Sequence, residues 1–311
     1  MNKTIAGVLP VLHTPFLDND QIDEECLQKQ IDWIFQQGAD GFCTGMVSEL
    51  LRLTTDERLE LTEKMSRLCA GRGVVVASVG AESTKGALFF ARHAQKVGCH
   101  GLMAIPPVST ALPGDALYDY YQTLADGVDL PLIVQDASAY AGHGISLDVQ
   151  AKLFERYGPE KIMFKPEAAP LGPNLSALRD RTNRKAKIFE GSGGIFLVDS
   201  FRRGVAGTIP GVDLLDGVVA LWRALHRADQ KAIYHLYFPL CAIVALQMQA
   251  GLDGFLAIEK YILVKRGLFK SDRRRQPYSW SLDEETAAEI DRLLVYLDLA
   301  LQEYQTPPQE D

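Results

Sequence analysis

One lysine in the chain has the surroundings of a reactive amine. Lys165 closes the apolar run Ile162-Met163-Phe164-Lys165, which contains no acid of its own. A lysine carried into a buried strand must reach water, pair with an acid or give up its proton. A neutral amine attacks a ketone and forms a Schiff base. Glu167 follows two residues later, and with a side-chain period of two it faces the same side of a strand. The spacing suits a catalytic lysine beside an acid–base partner. It suits a structural ion pair as well, and the residues alone leave both readings open.

Other polar residues close other apolar runs. Gln135-Asp136 ends one of them and reads first as a strand-to-loop turn. The stretch Thr44-Gly45-Met46-Val47-Ser48-Glu49 ends another. A glycine-led loop of this kind presents backbone N–H groups to an anion, while Glu49 reads equally as one half of an ion pair at the rim. His13, Thr14, Ser78, Ser109, Thr110, Glu190, Ser192 and Thr208 take similar positions. The histidines are scattered, with no His-x-x-x-His or His-Glu-x-x-His spacing, so no metal site is expected. Ser192, in Glu-Gly-Ser-Gly-Gly, lacks the frame of a nucleophile elbow and reads as loop.

The elements that must position these groups alternate. Eight apolar runs begin at residues 7, 41, 74, 101, 131, 162, 187 and 207, and nearly every residue within them is apolar, as in parallel strands buried on both faces. Helical patterns fill the gaps. Leu27, Ile31, Ile34 and Phe35 form one stripe. Leu61, Met65 and Leu68 form another, behind the capping-box pattern Thr54-Thr55-Asp56-Glu57. Gly38 and Gly98 each stop a helix shortly before the next run. Eight strand-then-helix units predict a (β/α)8 TIM barrel over 1–226. A doubly wound open sheet needs fewer repeats, and no G-x-G-x-x-G follows the first run. Beyond residue 226 the strand signals stop. Apolar helices are expected over 229–248, 252–266 and 283–304, a C-terminal three-helix extension spanning 227–311, with 306–311 a frayed tail. In such a barrel the active site lies at the C-terminal ends of the strands, where the polar residues above fall.

Composition narrows the function classes. The 311 residues carry a net charge of −8, which leaves no basic excess to neutralise phosphates and argues against nucleic-acid binding. The five cysteines form no CxxC or Cys/His cluster and read as buried thiols of a reducing compartment. No signal-peptide pattern and no long uncharged apolar run is apparent, so a cytoplasmic protein without a membrane span is expected. The run Arg273-Arg274-Arg275 reads as a solvated loop.

From about Gly7 to Leu301 the chain resembles the dihydrodipicolinate synthase and N-acetylneuraminate lyase family of class I Schiff-base lyases. The resemblance rests on GVLPVLHTPF at the start, on LRLTTDER after the second-strand loop, on the lysine strand and on the late GVAGTIPG. It implies that Lys165 forms the imine. Departures from the family pattern are informative. Where the family has G-T-T-G-E, this chain has Gly45-Met46-Val47-Ser48-Glu49, and where the family's fifth-strand relay tyrosine stands it has Gln135. The tyrosine lent by a neighbouring subunit falls near Val108, and the synthases' carboxylate-binding arginine falls near Tyr140. Synthase activity is therefore not expected.

The replacements are similar to one branch, the L-2-keto-3-deoxyarabonate dehydratases. The shared features are Ser48-Glu49, Gln135-Asp136, Lys165-Pro166-Glu167 with its proline-rich turn, and the stretch that starts at Gly191. That resemblance implies dehydration of a small 2-keto-3-deoxy acid without a cofactor. Lys165, Glu167, Gln135 and Ser48 would carry the chemistry, and Met46, Val47, Glu49, Tyr140 and Gly191 would surround the substrate. It also implies a homo-oligomer, a tetramer or a dimer. Retro-aldol cleavage on the same lysine and a non-catalytic keto-acid-binding protein remain the alternatives.

Overall fold

Eight short parallel strands close on one another in the computed structural model, which describes residues 3–305. The stretch 306–311, expected as a frayed tail, lies outside the described residues. The strands are β1 (Gly7–Val8), β2 (Gly41–Cys43), β3 (Val74–Ser78), β4 (Gly101–Ala104), β5 (Leu132–Asp136), β6 (Ile162–Pro166), β7 (Phe189–Glu190) and β8 (Gly207–Thr208). Strands β2 to β6 pair in sequence order, and β1 pairs with β8, which pairs with β7. Single bridges complete the ring: Val11 to both Cys43 and Gly211, and Phe164 to Ile188. All eight expected runs are therefore strands of a (β/α)8 barrel. The first and last ladders are shorter than their runs because Pro10 and Pro210 have no N–H to donate.

Helices α1 (Glu24–Gln37), α2 (Thr55–Cys69), α3 (Thr84–Lys96), α4 (Gly114–Gly127), α5 (Leu147–Tyr157), α6 (Leu171–Arg181), α7 (Leu197–Arg202) and α8 (Leu215–His226) follow the strands in turn. The local signals act as expected. Asp23 caps α1 by accepting from the Cys26 amide, and Gly38 ends the helix at φ 85°. Thr54 and Glu57 form the reciprocal capping box of α2.

Two apolar layers result. Outward-facing strand residues such as Val75, Leu102, Val134 and Phe164 pack against the helices, and inward-facing ones such as Leu9, Val76, Met103, Ile133, Met163, Phe189 and Ile209 fill the barrel. Two residues beyond this inner layer, the same inward face carries Gln135 on β5, Lys165 on β6, and glycines 191 and 211 after β7 and β8.

Three helices complete the chain: α9 (Gln230–Gln247), α10 (Gly251–Lys265) and α11 (Glu284–Gln305), with α9 packed on α8 and α11 on α9. By length and composition Gln230–Lys265 is apolar enough to cross a membrane. Half of its most apolar window is buried, the stretch breaks at Met248–Ala250, and α10 buries Asp253, Glu259 and Lys260. Those features belong to a helix pair that covers a protein core.

The arginine run is not a solvated loop. The Arg275 amide donates to Glu49 Oε2 at 2.7 Å, and its guanidinium pairs with Glu57. Arg274 donates to the Trp280 carbonyl at 3.0 Å and stacks on Tyr278, and the Arg273 carbonyl accepts from Lys260 at 2.7 Å. Arg275 finds its partners more than 200 residues away in sequence, which composition alone does not reveal.

Candidate active site

Lys165 is 4% exposed and stands beside Gln135, its register partner on β5. Glu167 lies one residue past β6, where its amide donates to the Asp136 carbonyl and prolongs the ladder. Its carboxylate accepts from Lys165 Nζ at 2.9 Å through one oxygen and from Gln135 Nε2 at 2.6 Å through the other. Burial pushes the Glu167 carboxyl above its ordinary range, while Lys165 and Gln135 pull it back. Lys165 Nζ and Glu167 Oε1 thus lie within proton-transfer distance of each other.

Space at this centre comes from a missing side chain. A Cβ on Gly191 would stand 2.8 Å from Glu167 Oε1 and 2.9 Å from Lys165 Nζ. Gly191 therefore leaves open the approach to the amine.

A small cavity reaches Lys165, and Gln135, Glu167, Met46, Val47, Tyr140 and Gly191 border it as well. Two candidates from the sequence are not brought to it. The Ser48 hydroxyl donates to the Leu12 carbonyl and accepts from the Gly45 amide at 3.0 Å, so it shapes the loop from behind. Glu49 turns away from the cavity, accepts from Lys260 Nζ at 2.5 Å and takes the Arg275 amide.

Among the described residues, the Met46 and Val47 amides of the 3-10 turn Met46–Ser48 have no acceptor, and both residues lie at the cavity wall. Tyr140 meets Phe255 edge to face at 5.6 Å, and burial raises its hydroxyl well above the usual range, so it is a neutral donor or acceptor there. Past these two rings a wider, mostly apolar vestibule opens, lined by Pro170, Phe196 and Met248 among others. Gln135 Oε1 is buried with no partner among the described residues and Gln135 borders the cavity, so a ligand hydroxyl or water would satisfy it.

Sequence reasoning missed one wall of this cavity. Glu259 of α10 borders it, bonded to His13 after β1, with Asp213 close by after β8. The available signal was two adjacent charges, Glu259 and Lys260, set between Ile258 and Ile262 on an apolar helix.

The dihydrodipicolinate synthetase family model matches residues 4–295. The chain belongs to that family. Its barrel superposes on dihydrodipicolinate synthase from Rhodopseudomonas palustris with a TM-score of 0.86 at 24% identity, over 96% of this chain and all of that one. A prophage protein of the same family from Escherichia coli K12, solved with pyruvate, gives a TM-score of 0.85 at 21% identity over 95% and 99% of the two chains. These two likenesses show the fold. Among curated proteins, an L-2-keto-3-deoxyarabonate dehydratase from Azospirillum brasilense is 28% identical over 91% of this chain and 92% of its own length. A probable 2-dehydro-3-deoxy-D-pentonate aldolase from Escherichia coli K12 is 30% identical over 49% of this chain and 50% of its own.

Proposed function

We propose that this family member is a Schiff-base lyase that dehydrates a small 2-keto-3-deoxy sugar acid, with L-2-keto-3-deoxyarabonate the first substrate to test. The observation that carries the reading is the triad itself. A buried lysine lies against a carboxylate that is held on its far side by Gln135, where a synthase-like relay would have a tyrosine. The full-length similarity to a dehydratase of that substrate supports it.

The chemistry runs through groups already placed. Lys165 Nζ attacks the ketone as Glu167 accepts its proton over 2.9 Å. The adduct nitrogen passes a second proton to the former ketone oxygen, and Glu167 returns its own proton to the resulting hydroxyl, which leaves as water and gives the iminium. The iminium draws electrons from the neighbouring carbon, and Glu167, again a carboxylate, removes a proton there. The enamine then expels the hydroxyl one carbon further on. The conjugated iminium loses one proton from the terminal carbinol carbon and one from its hydroxyl, regains protons at C3 and C4 to give the aldehyde, and hydrolysis frees the semialdehyde from Lys165.

The Met46 and Val47 amides receive the substrate carboxylate. Gln135 has no transferable proton near neutral pH and positions a hydroxyl through Oε1. Ser48 supports the turn, and Tyr140 and Gly191 shape the approach. No cofactor takes part in these steps. A cytoplasmic homo-oligomer, with its catalytic barrel in 1–226 and its helical extension in 227–311, completes the proposal.

A second reading, retro-aldol cleavage on the same imine, draws on the half-length similarity to an aldolase. Product analysis separates the two. Incubation with L-2-keto-3-deoxyarabonate is expected to give the semialdehyde of 2-oxoglutarate without pyruvate. Stoichiometric pyruvate and glycolaldehyde would make the enzyme an aldolase. Imine formation without turnover of any keto acid would make it a binding protein.

A further inference from the structure

The mechanism above leaves the departing hydroxyl without a proton donor, and the wall of the cavity formed by α10 holds a candidate. Glu259 is buried there, and Asp213 is buried behind it. The inward position after β8 is Gly211, and a Cβ on it would stand 2.6 Å from Asp213 Oδ1 and 2.8 Å from Glu259 Oε1. The two carboxyl oxygens therefore converge over a bare glycine.

The remaining hydrogen bonds fix where the protons are. Burial holds His13 down at about 4, so its ring is neutral at pH 7. His13 Nδ1 is buried without a partner among the described residues, and Nε2 meets Glu259 Oε2. An orphaned buried N–H is the costlier defect, so the ring hydrogen sits on Nε2 and donates to Glu259. Asp213 Oδ2 accepts from Gln247 Nε2 at 2.6 Å.

Among the described residues no cation is free to neutralise the two oxygens that meet at Gly211. Lys260, the next residue on α10, is taken by Glu49 and by the Thr14 and Arg273 carbonyls. Arg266 donates to the Asp213 main-chain carbonyl and pairs with Asp216. Tyr140 is neutral, and Lys165 is engaged by Glu167. Like charges so placed make ionisation of both carboxyl groups costly, which favours a proton on the pair. Burial and then Glu259 push Asp213 up to about 7, and burial raises the Glu259 carboxyl well above its ordinary range. The unpartnered Gln135 Oε1 independently marks the same cavity as a place for a ligand's hydroxyl.

We propose that Glu259 is the acid of this site, holding the one proton it shares with Asp213 and delivering it to the hydroxyl oxygen that leaves the Lys165-bound substrate. The inference rests on the dehydratase reading. In the step, the enamine electron pair forms the new carbon–carbon double bond and the carbon–oxygen bond breaks toward oxygen. The oxygen takes the Glu259 proton and departs as water. The pair, left doubly ionised, recovers a proton from solvent as the imine is hydrolysed.

Three measurements on the full-length protein test it. Glu259→Gln keeps the volume and has no acidic proton. Its dehydration rate should fall at least about 100-fold, while borohydride trapping of pyruvate on Lys165 stays within about twofold. Asp213→Asn removes the like charge, so the alkaline limb of the dehydration rate should move to lower pH. An undiminished dehydration rate in Glu259→Gln, or a parallel loss of trapping, would overturn the proposal. If the wild type traps pyruvate and dehydrates no keto acid of a panel, the substrate reading fails by itself. The infrared carbonyl band of a protonated carboxyl then decides the shared proton. A band that disappears in Glu259→Gln supports it, and no such band in the wild type rejects it.

Discussion

Gln135 Nε2 donates to Glu167 at 2.6 Å, on the side of the carboxylate opposite Lys165. The amide fixes the carboxylate and cannot take its proton. Gln135→Ala should therefore lower kcat by roughly 10-fold or more by loosening the base, with borohydride trapping still directed to Lys165. Gln135→Tyr introduces a titratable hydroxyl and should raise the share of pyruvate among the products, as measured by a coupled pyruvate assay. A Gln135→Ala enzyme as active as a surface variant would make this contact incidental.

Gly191 is required by the space beside the amine. Gly191→Ala places a methyl group 2.8 Å from Glu167 Oε1 and 2.9 Å from Lys165 Nζ. Displacement of either group by even part of an ångström should cost on the order of 100-fold in kcat/KM. The thermal midpoint should change little, because the cavity gives the backbone room, and calorimetry alongside kinetics separates the two effects.

Glu49 and Lys260 form a fully buried pair that ties the second-strand loop to α10 and to the 273–275 strap. Removing the cation alone leaves a buried carboxylate uncompensated. Lys260→Met should cost about 3–5 kcal/mol in urea unfolding. Adding Glu49→Leu should recover part of that loss. A double variant less stable than Lys260→Met would show that the pair is not what holds the strap.

Asp213 gives a pH signature of stability. Its folded value, about 7, lies above the ordinary carboxyl range, so its contribution is complete in acid and is lost as pH rises from about 4 through about 7. Asp213→Asn abolishes that loss. The variant should gain on the wild type across this window, by on the order of a few kcal/mol at pH 8, read from denaturant midpoints at several pH values. A constant difference between the two proteins from pH 4 to pH 8 would contradict a raised Asp213 carboxyl.

Much of this was legible in the sequence because the signals are local. Each barrel strand is an apolar run bounded by turn residues, and Lys165 with Glu167 shows its common face through spacing alone. The ends of the strands were less so: a proline in the first and last runs cuts the ladder without altering the apolar pattern. Partnerships across the chain were not legible. Glu49 reads as a rim acid until Lys260, 211 residues away, is seen against it. Glu259 meets His13 across 246 residues, and neither has a local motif. Gly211, which makes room for Glu259 and Asp213, looks in sequence like any turn glycine.

The central claim is a covalent bond between a keto acid and Lys165. Borohydride reduction in the presence of pyruvate, followed by peptide mass mapping, tests it most directly. The account predicts one added pyruvate-derived mass on the peptide that contains Lys165, and none in Lys165→Ala. Label on another lysine, or label that persists in Lys165→Ala, would contradict it.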